Sequence, residues 1–179
     1  MRQSAIAVVD GGEVLEFPWS SLYAYCGPTQ IIASALMFRL FIRAFRDLSP
    51  GGPPDRESLW FLSGFPGTGI AECVELVTRI RSRHPERFSV DPGICPPEAP
   101  ATGSGFLYFE VQVGGRRAGY WPPRTVFDDT FRENVGRYQN GSGTREEQAE
   151  YLRYKRGIAD TVLGYSEDSL FSSRPAAPV

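Results

Sequence analysis

Histidine is nearly absent from this sequence. His84 is the only one in 179 residues, and the three cysteines, Cys26, Cys73 and Cys95, include no CxxC pair. That excludes a standard zinc-finger ligand set and makes a disulfide framework a poor reading. Lysine is equally scarce: Lys155 stands alone, so nearly all the basic charge is arginine, a skew that suits a GC-rich genome and a producer of specialised metabolites. No run of like charges exceeds a few residues and the formal net charge is −2, so nucleic-acid or anionic-membrane binding has no electrostatic footprint. Long apolar runs are missing too. The stretch from Ile31 to Phe45 is interrupted by Arg39 and Arg43, and the opening "MRQSAIAVVDGGEVLEF" lacks the apolar segment of a signal peptide. A soluble, cytoplasmic protein with a small-molecule substrate is expected.

What is present is enough apolar residue, 41%, for one sizeable core. "AIAVVDGGEVLEF" reads as a hairpin turning at Asp10-Gly11-Gly12. From Thr29 to Leu48 the spacing predicts a long buried helix whose polar stripe is Arg39, Arg43 and Arg46. "SPGGPPD" stops it, and "SLWFLSG" is a buried strand. Thr68 to Arg83 reads as a second amphipathic helix, "ERFSVD" as a short strand, and Pro92 to Gly105 as a long loop, either a lid or a mobile segment. "GFLYFEVQV" and "RRAGYWPPRTVF" flank Gly114-Gly115 as a hairpin whose second strand Pro122 and Pro123 should end or confine to an edge. A charged helix follows from Thr144 or Arg145 to about Leu163. The prediction is an α+β fold: a single domain over residues 1–172, with a mostly antiparallel, mixed sheet packed by three main helices, and a frayed tail over 173–179.

Several side chains could carry chemistry. A cysteine at the mouth of a buried helix gains thiolate character from unpaired backbone N–H groups, and "YCGPTQIIASALM" is similar to the nucleophile segment of papain-like peptidases that process bacteriocin leaders. In that family a histidine and an aspartate follow, and "HPERFSVDP" offers His84 and Asp91. A core or turn role for Cys26 stays open, as does helix C-terminal complementation for His84. Cys73 falls on an apolar stripe and Cys95 in a proline loop, where neither needs a function. Glu72, one turn from Glu75, is either a solvated helix-start acid or a general acid or base facing a pocket beside the "GTG" turn that holds Thr68. Tyr23, Tyr25, Tyr120 and Trp121 could wall an apolar pocket, with Arg124 at its rim.

"REEQAEYLRYKRGIADTVLGYSEDSLF", preceded by a cysteine turn opening a long helix, a strand, a second helix and a hairpin, resembles the FmdE-like core domain, a family named for a component of formylmethanofuran dehydrogenase, over roughly residues 20 to 172. The resemblance implies an α+β domain, a homodimer and a cleft at the Cys26 turn. It places the family's HxC cysteine on Cys26 but its histidine on Ala24, and the acidic position near Glu72. The family's metal-ligand histidines are therefore missing, its C-terminal zinc module has no counterpart, and neither metal nor cofactor is expected.

These readings converge on a metal-free enzyme that cyclises, isomerises or dehydrates a small, largely apolar molecule by acid–base and shape effects. Tyr25 would donate and Glu72 would be the base, with Cys26 beside them. Tyr23, Thr68, Tyr120, Trp121 and Arg124 would hold the substrate. The competing readings are a Cys26/His84 thiol hydrolase or acyltransferase, and a ligand-binding scaffold without turnover.

Overall fold

The computed structural model describes residues 4–94, 96–166 and 168–178; the loop cysteine Cys95 lies outside them. At the N-terminus, Gly11 and Gly12 both take positive φ, 61° and 86°, the geometry that a two-residue hairpin turn needs. Strand β1 (Ala5–Asp10) therefore reverses directly into β2 (Glu13–Pro18), pairing Asp10 with Glu13. The chain then enters α1 (Trp19–Cys26), a helix the sequence pattern does not announce. Leu22 is its one fully buried side chain, so it has almost no apolar stripe to read.

Helix α2 (Ile31–Leu48) follows a single 3₁₀ turn over Pro28–Gln30. Six of its large buried side chains, Leu36, Met37, Phe38, Leu40, Phe41 and Phe45, together contribute on the order of 10 kcal/mol of apolar burial. It lies at the centre of the helical layer, against α1, α3 (Thr68–Thr78), the long α6 (Arg145–Gly164) and the sheet. Its arginine stripe has structural work: Arg39 donates to the Leu163 carbonyl at the end of α6, Arg43 pairs with Asp47 at 2.7 Å, and Arg46 reaches Asp168 at 2.5 Å.

The main sheet has five strands in the order β4-β3-β7-β8-β9. Strand β3 (Leu59–Ser63) runs parallel only to β4 (Phe88–Val90). Its other neighbour, β7 (Phe109–Val113), is antiparallel, as are β8 (Arg116–Trp121) and β9 (Ser172–Ala176) in turn. The fold is thus the α+β architecture with a mixed, mostly antiparallel sheet that the sequence predicts. Pro122 and Pro123 end β8 but do not confine it to an edge, because the tail pairs with its far side. That corrects the expectation of a frayed terminus. Ser172–Ala176 adds the edge strand, where Pro175 is tolerated because an edge residue needs no donor on its outer side.

Other departures have local causes. The helix predicted from Thr68 to Arg83 breaks at Arg79, which sits at φ 59°. The break is stabilised by the Arg79 N–H on the Glu75 carbonyl and by the Ile80 N–H on the Thr78 hydroxyl, after which α4 (Ile80–Arg83) resumes. Within the Pro92–Gly105 loop, β5 (Ala101–Thr102) pairs with β6 (Gly105–Phe106). Helix α5 (Asp129–Tyr138), absent from the sequence reading, is capped by the Asp128 carboxylate accepting from the Phe131 N–H at 2.9 Å.

Candidate functional site

Two neighbouring features could carry chemistry, and the reversal after α1 separates them. Gly27, at φ 77°, ends α1 with its N–H on the Tyr23 carbonyl and turns the chain toward α2. On one side of this turn, Cys26 and Cys73 of α3 bring their sulfurs to 3.4 Å. Hydrogen bonding from Cys73 favours the Cys26 thiolate and lowers its pKa, against the opposing effects of burial and of the neighbouring Glu72 carboxylate. The same contact and near-complete burial raise Cys73 well above an ordinary thiol, so Cys26 loses its proton first. One oxygen of Glu72 is buried without a hydrogen-bond partner. Among the described residues no group of three or more His, Cys, Asp and Glu is placed to hold a metal ion.

On the other side lies a cavity of about 540 Å³, within the range that holds a drug-sized ligand. Ile32, Ala33 and Leu36 of α2 form one wall and Phe127, Phe131 and Val135 another. Phe65 and Ile70 from the turn into α3, with Leu107, complete the apolar body. Polar groups gather at the α5–α6 end, Tyr138, Gln139, Asn140, Gln148, Tyr151 and Lys155, and Gln30, Thr68 and Ser104 are polar elsewhere in the wall. None of the described lining residues is acidic.

This end is built by α5 and α6. Tyr138 packs on Tyr151 with ring centroids 5.4 Å apart, and Gln148 donates to the Tyr138 carbonyl at 3.2 Å. A capping box starts α6: the Thr144 hydroxyl accepts from the Glu147 N–H and the Glu147 carboxylate accepts from the Thr144 N–H. Tyr151 and Lys155, four residues apart, consequently share a helix face, and the ammonium lies 4.6 Å from the Tyr151 ring centroid. Its Nζ donates to the Thr29 carbonyl at 2.9 Å, and burial lowers its pKa from the usual lysine value. Burial also pushes the Tyr151 hydroxyl up to about 12.

The residues singled out from the sequence are dispersed. Thr68 stands in the cavity wall, its hydroxyl accepting from the Gln30 amide at 3.3 Å. Cys26 and Glu72 meet on the other side of the turn, while Tyr25 is 53% exposed. Tyr23 packs on Trp19, with ring centroids 5.4 Å apart. Tyr120 is fully buried, its hydroxyl 3.4 Å from Asp47 and its pKa raised by desolvation. Trp121 lies beside Tyr108, with ring centroids 6.2 Å apart. Arg124 donates to the Pro97 and Ala99 carbonyls and fixes the long loop. The single tyrosine-lined pocket expected around Tyr23, Tyr120 and Trp121 is therefore not assembled. Nor is a Cys26/His84 pair: His84 bonds Glu57 at 2.5 Å, and Asp91 accepts from Gly93. No protein-family model matches the chain, and no curated protein matches it.

The geometry brings in Gln30, Tyr138, Gln148, Tyr151 and Lys155, which the sequence reading did not select. A signal existed for two of them, since Tyr151 and Lys155 are four apart on a predicted helix. Tyr138 lies on a helix whose polar composition hid it.

Proposed function

We propose that this chain is an enzyme that cyclises, isomerises or dehydrates a small, largely apolar molecule in the cavity between α2, the turn into α3, α5 and α6. The observation that carries this reading is the preformed cavity itself, with apolar side chains of α2, the turn into α3 and α5 on its walls and polar groups, in about equal measure, concentrated on its α5–α6 end. Such a vessel fixes the conformation of a flexible apolar chain, and intramolecular rearrangement gains most from that fixation. Acid–base groups at the polar end are Lys155 and the tyrosine hydroxyls, in place of the Glu72 and Tyr25 expected from sequence. A partly desolvated lysine, its pKa lowered by burial, gives up its proton more readily than an exposed one.

The test is binding of a neutral apolar reporter, N-phenylnaphthylamine, followed by fluorescence. One molecule per chain is expected, and Ile32→Trp, which fills the α2 wall away from the Gly69 contact, should abolish the signal while the far-UV circular dichroism is kept. Absence of stoichiometric binding, or binding untouched by Ile32→Trp, would overturn the reading.

A second reading is favoured by one specific observation, the 3.4 Å approach of Cys26 to Cys73. It makes Cys26 a nucleophilic thiol partnered by a cysteine instead of by His84. Iodoacetamide tests it: Cys26 unreactive at neutral pH would remove it.

A further inference from the structure

The charge distribution of the cavity asks for a particular kind of ligand. Lys155 is the only lysine of the chain, it stands half-buried at the polar end, and it has no carboxylate partner among the described residues. An ammonium has three N–H donors. One goes to the Thr29 carbonyl and the Tyr151 ring face takes up another side of the group, which leaves donor capacity toward the cavity. A partly desolvated cation with no counter-charge is costly to maintain, and an anion arriving from solution relieves that cost. Helices α2 and α3 both begin at the cavity, with no acidic residue in their first turns and no side-chain cap, while α5 ends there.

Resting on the pocket reading above, we propose that Lys155 is the anchor for an anionic head group, and that the natural ligand is an apolar monocarboxylate. Its chain lies along Ile32, Leu36, Phe131 and Val135, and its carboxylate meets the ammonium where that group bonds the Thr29 carbonyl. A single negative charge matches a single cation. No arginine is among the described lining residues, so the bidentate forks that usually hold a phosphate dianion are missing.

Isothermal titration with decanoate, decanol and decylamine separates the possibilities, because the three probes share one apolar body. Decanoate should bind about tenfold or more tighter than decanol, the effect of one charge-assisted hydrogen bond in a partly dry site. Lys155→Met should bring decanoate to the level of decanol without changing decanol. Lys155→Arg, which keeps the charge, should retain the preference and shows that the loss in Lys155→Met is one of charge and not of folding. If decanoate and decanol bind alike to the unaltered protein, or decylamine binds best, the inference falls while the pocket reading stands. If none of the three binds the folded protein, both fall.

Discussion

Gly69 holds the starts of α2 and α3 together at the mouth of the cavity, and replacing it with alanine sets two effects of opposite sign against each other. A Cβ built there would lie 2.6 Å from Gln30 Oε1, 2.8 Å from the Ala33 Cβ and 3.0 Å from the Gln30 Cβ. The amide oxygen can rotate away, at the expense of the Gln30 to Thr68 hydrogen bond. The Ala33 methyl cannot, because it is fixed to the backbone of α2. Carbon atoms settle at about 3.5 to 4.0 Å, so the helices must part by roughly 0.7 Å or more. Forcing an extra methyl into a tight contact costs about 1 to 3 kcal/mol. Against this, alanine gains about 0.5 to 1 kcal/mol over glycine inside a helix, and less in a first turn. Packing wins, and Gly69→Ala should lose about 1 to 2 kcal/mol, read as a lower urea midpoint at unchanged slope. Ala33→Gly combined with Gly69→Ala should recover part of that loss relative to the sum of the single changes. A Gly69→Ala protein as stable as the original, or strict additivity in the double variant, would refute the argument that this glycine is required for helix contact.

The remaining predictions concern the scaffold and the thiol pair. Arg56 is 6% exposed and donates to the Val77 and Leu76 carbonyls at the end of α3 as well as to Asp10 at 2.6 Å. Arg56→Met should therefore cost about 3 kcal/mol in a urea titration, since two carbonyls and part of a salt bridge are left without their donor. Hydrogen bonds from Arg83 and then Arg56 hold the Asp10 carboxyl at about 2, below its ordinary 3.8. A depressed folded-state value means that the stabilisation is complete above 3.8 and is lost as pH falls toward 2, so Asp10→Asn should flatten the acid limb of thermal unfolding over that window. At neutral pH, iodoacetamide should label Cys26 well before Cys73, by peptide mass mapping, because the first is the more acidic thiol and the second is buried.

How much of this was legible in the sequence depends on how strongly each element repeats. Helix α2 announces itself because eleven of its side chains are buried and the charged residues between them are three arginines and Asp47. The two hairpins announce themselves through Gly11-Gly12 and Gly114-Gly115, and the α+β class follows from the order of these elements. The elements that went unread lack such a pattern. Helix α1 buries Leu22 alone, α5 buries only Phe131 and Val135, and β9 carries a proline that marks a strand only once β8 is there to pair with it. The break at Arg79 is set by a threonine hydroxyl and a backbone carbonyl, neither of which leaves a trace in periodicity.

The candidate site was less legible than the fold for a related reason. Cys26 reads as a special residue because of the turn beside it, but its partner Cys73 is 47 residues away on an apolar stripe, where a cysteine looks like any small core residue. One side of the cavity wall comes from α5 and the turns that flank it, Phe127 and Gln139 to Gly141, segments with weak repeats packed across the ends of the most regular helices, α2 and α6. A regular amphipathic helix buries its stripe against a matching partner and leaves no space. Irregular segments meet such a helix at fewer points, and a cavity persists where side chains such as Ala33 and Val135 are too short to close it. The same irregularity that hides these segments from a pattern search is what makes the cavity possible. Ligand specificity is then supplied by the few polar groups that α6 can place at its edge. Lys155 is one of them because the capping box at Thr144 fixes where α6 begins, and with it which of its residues face the space.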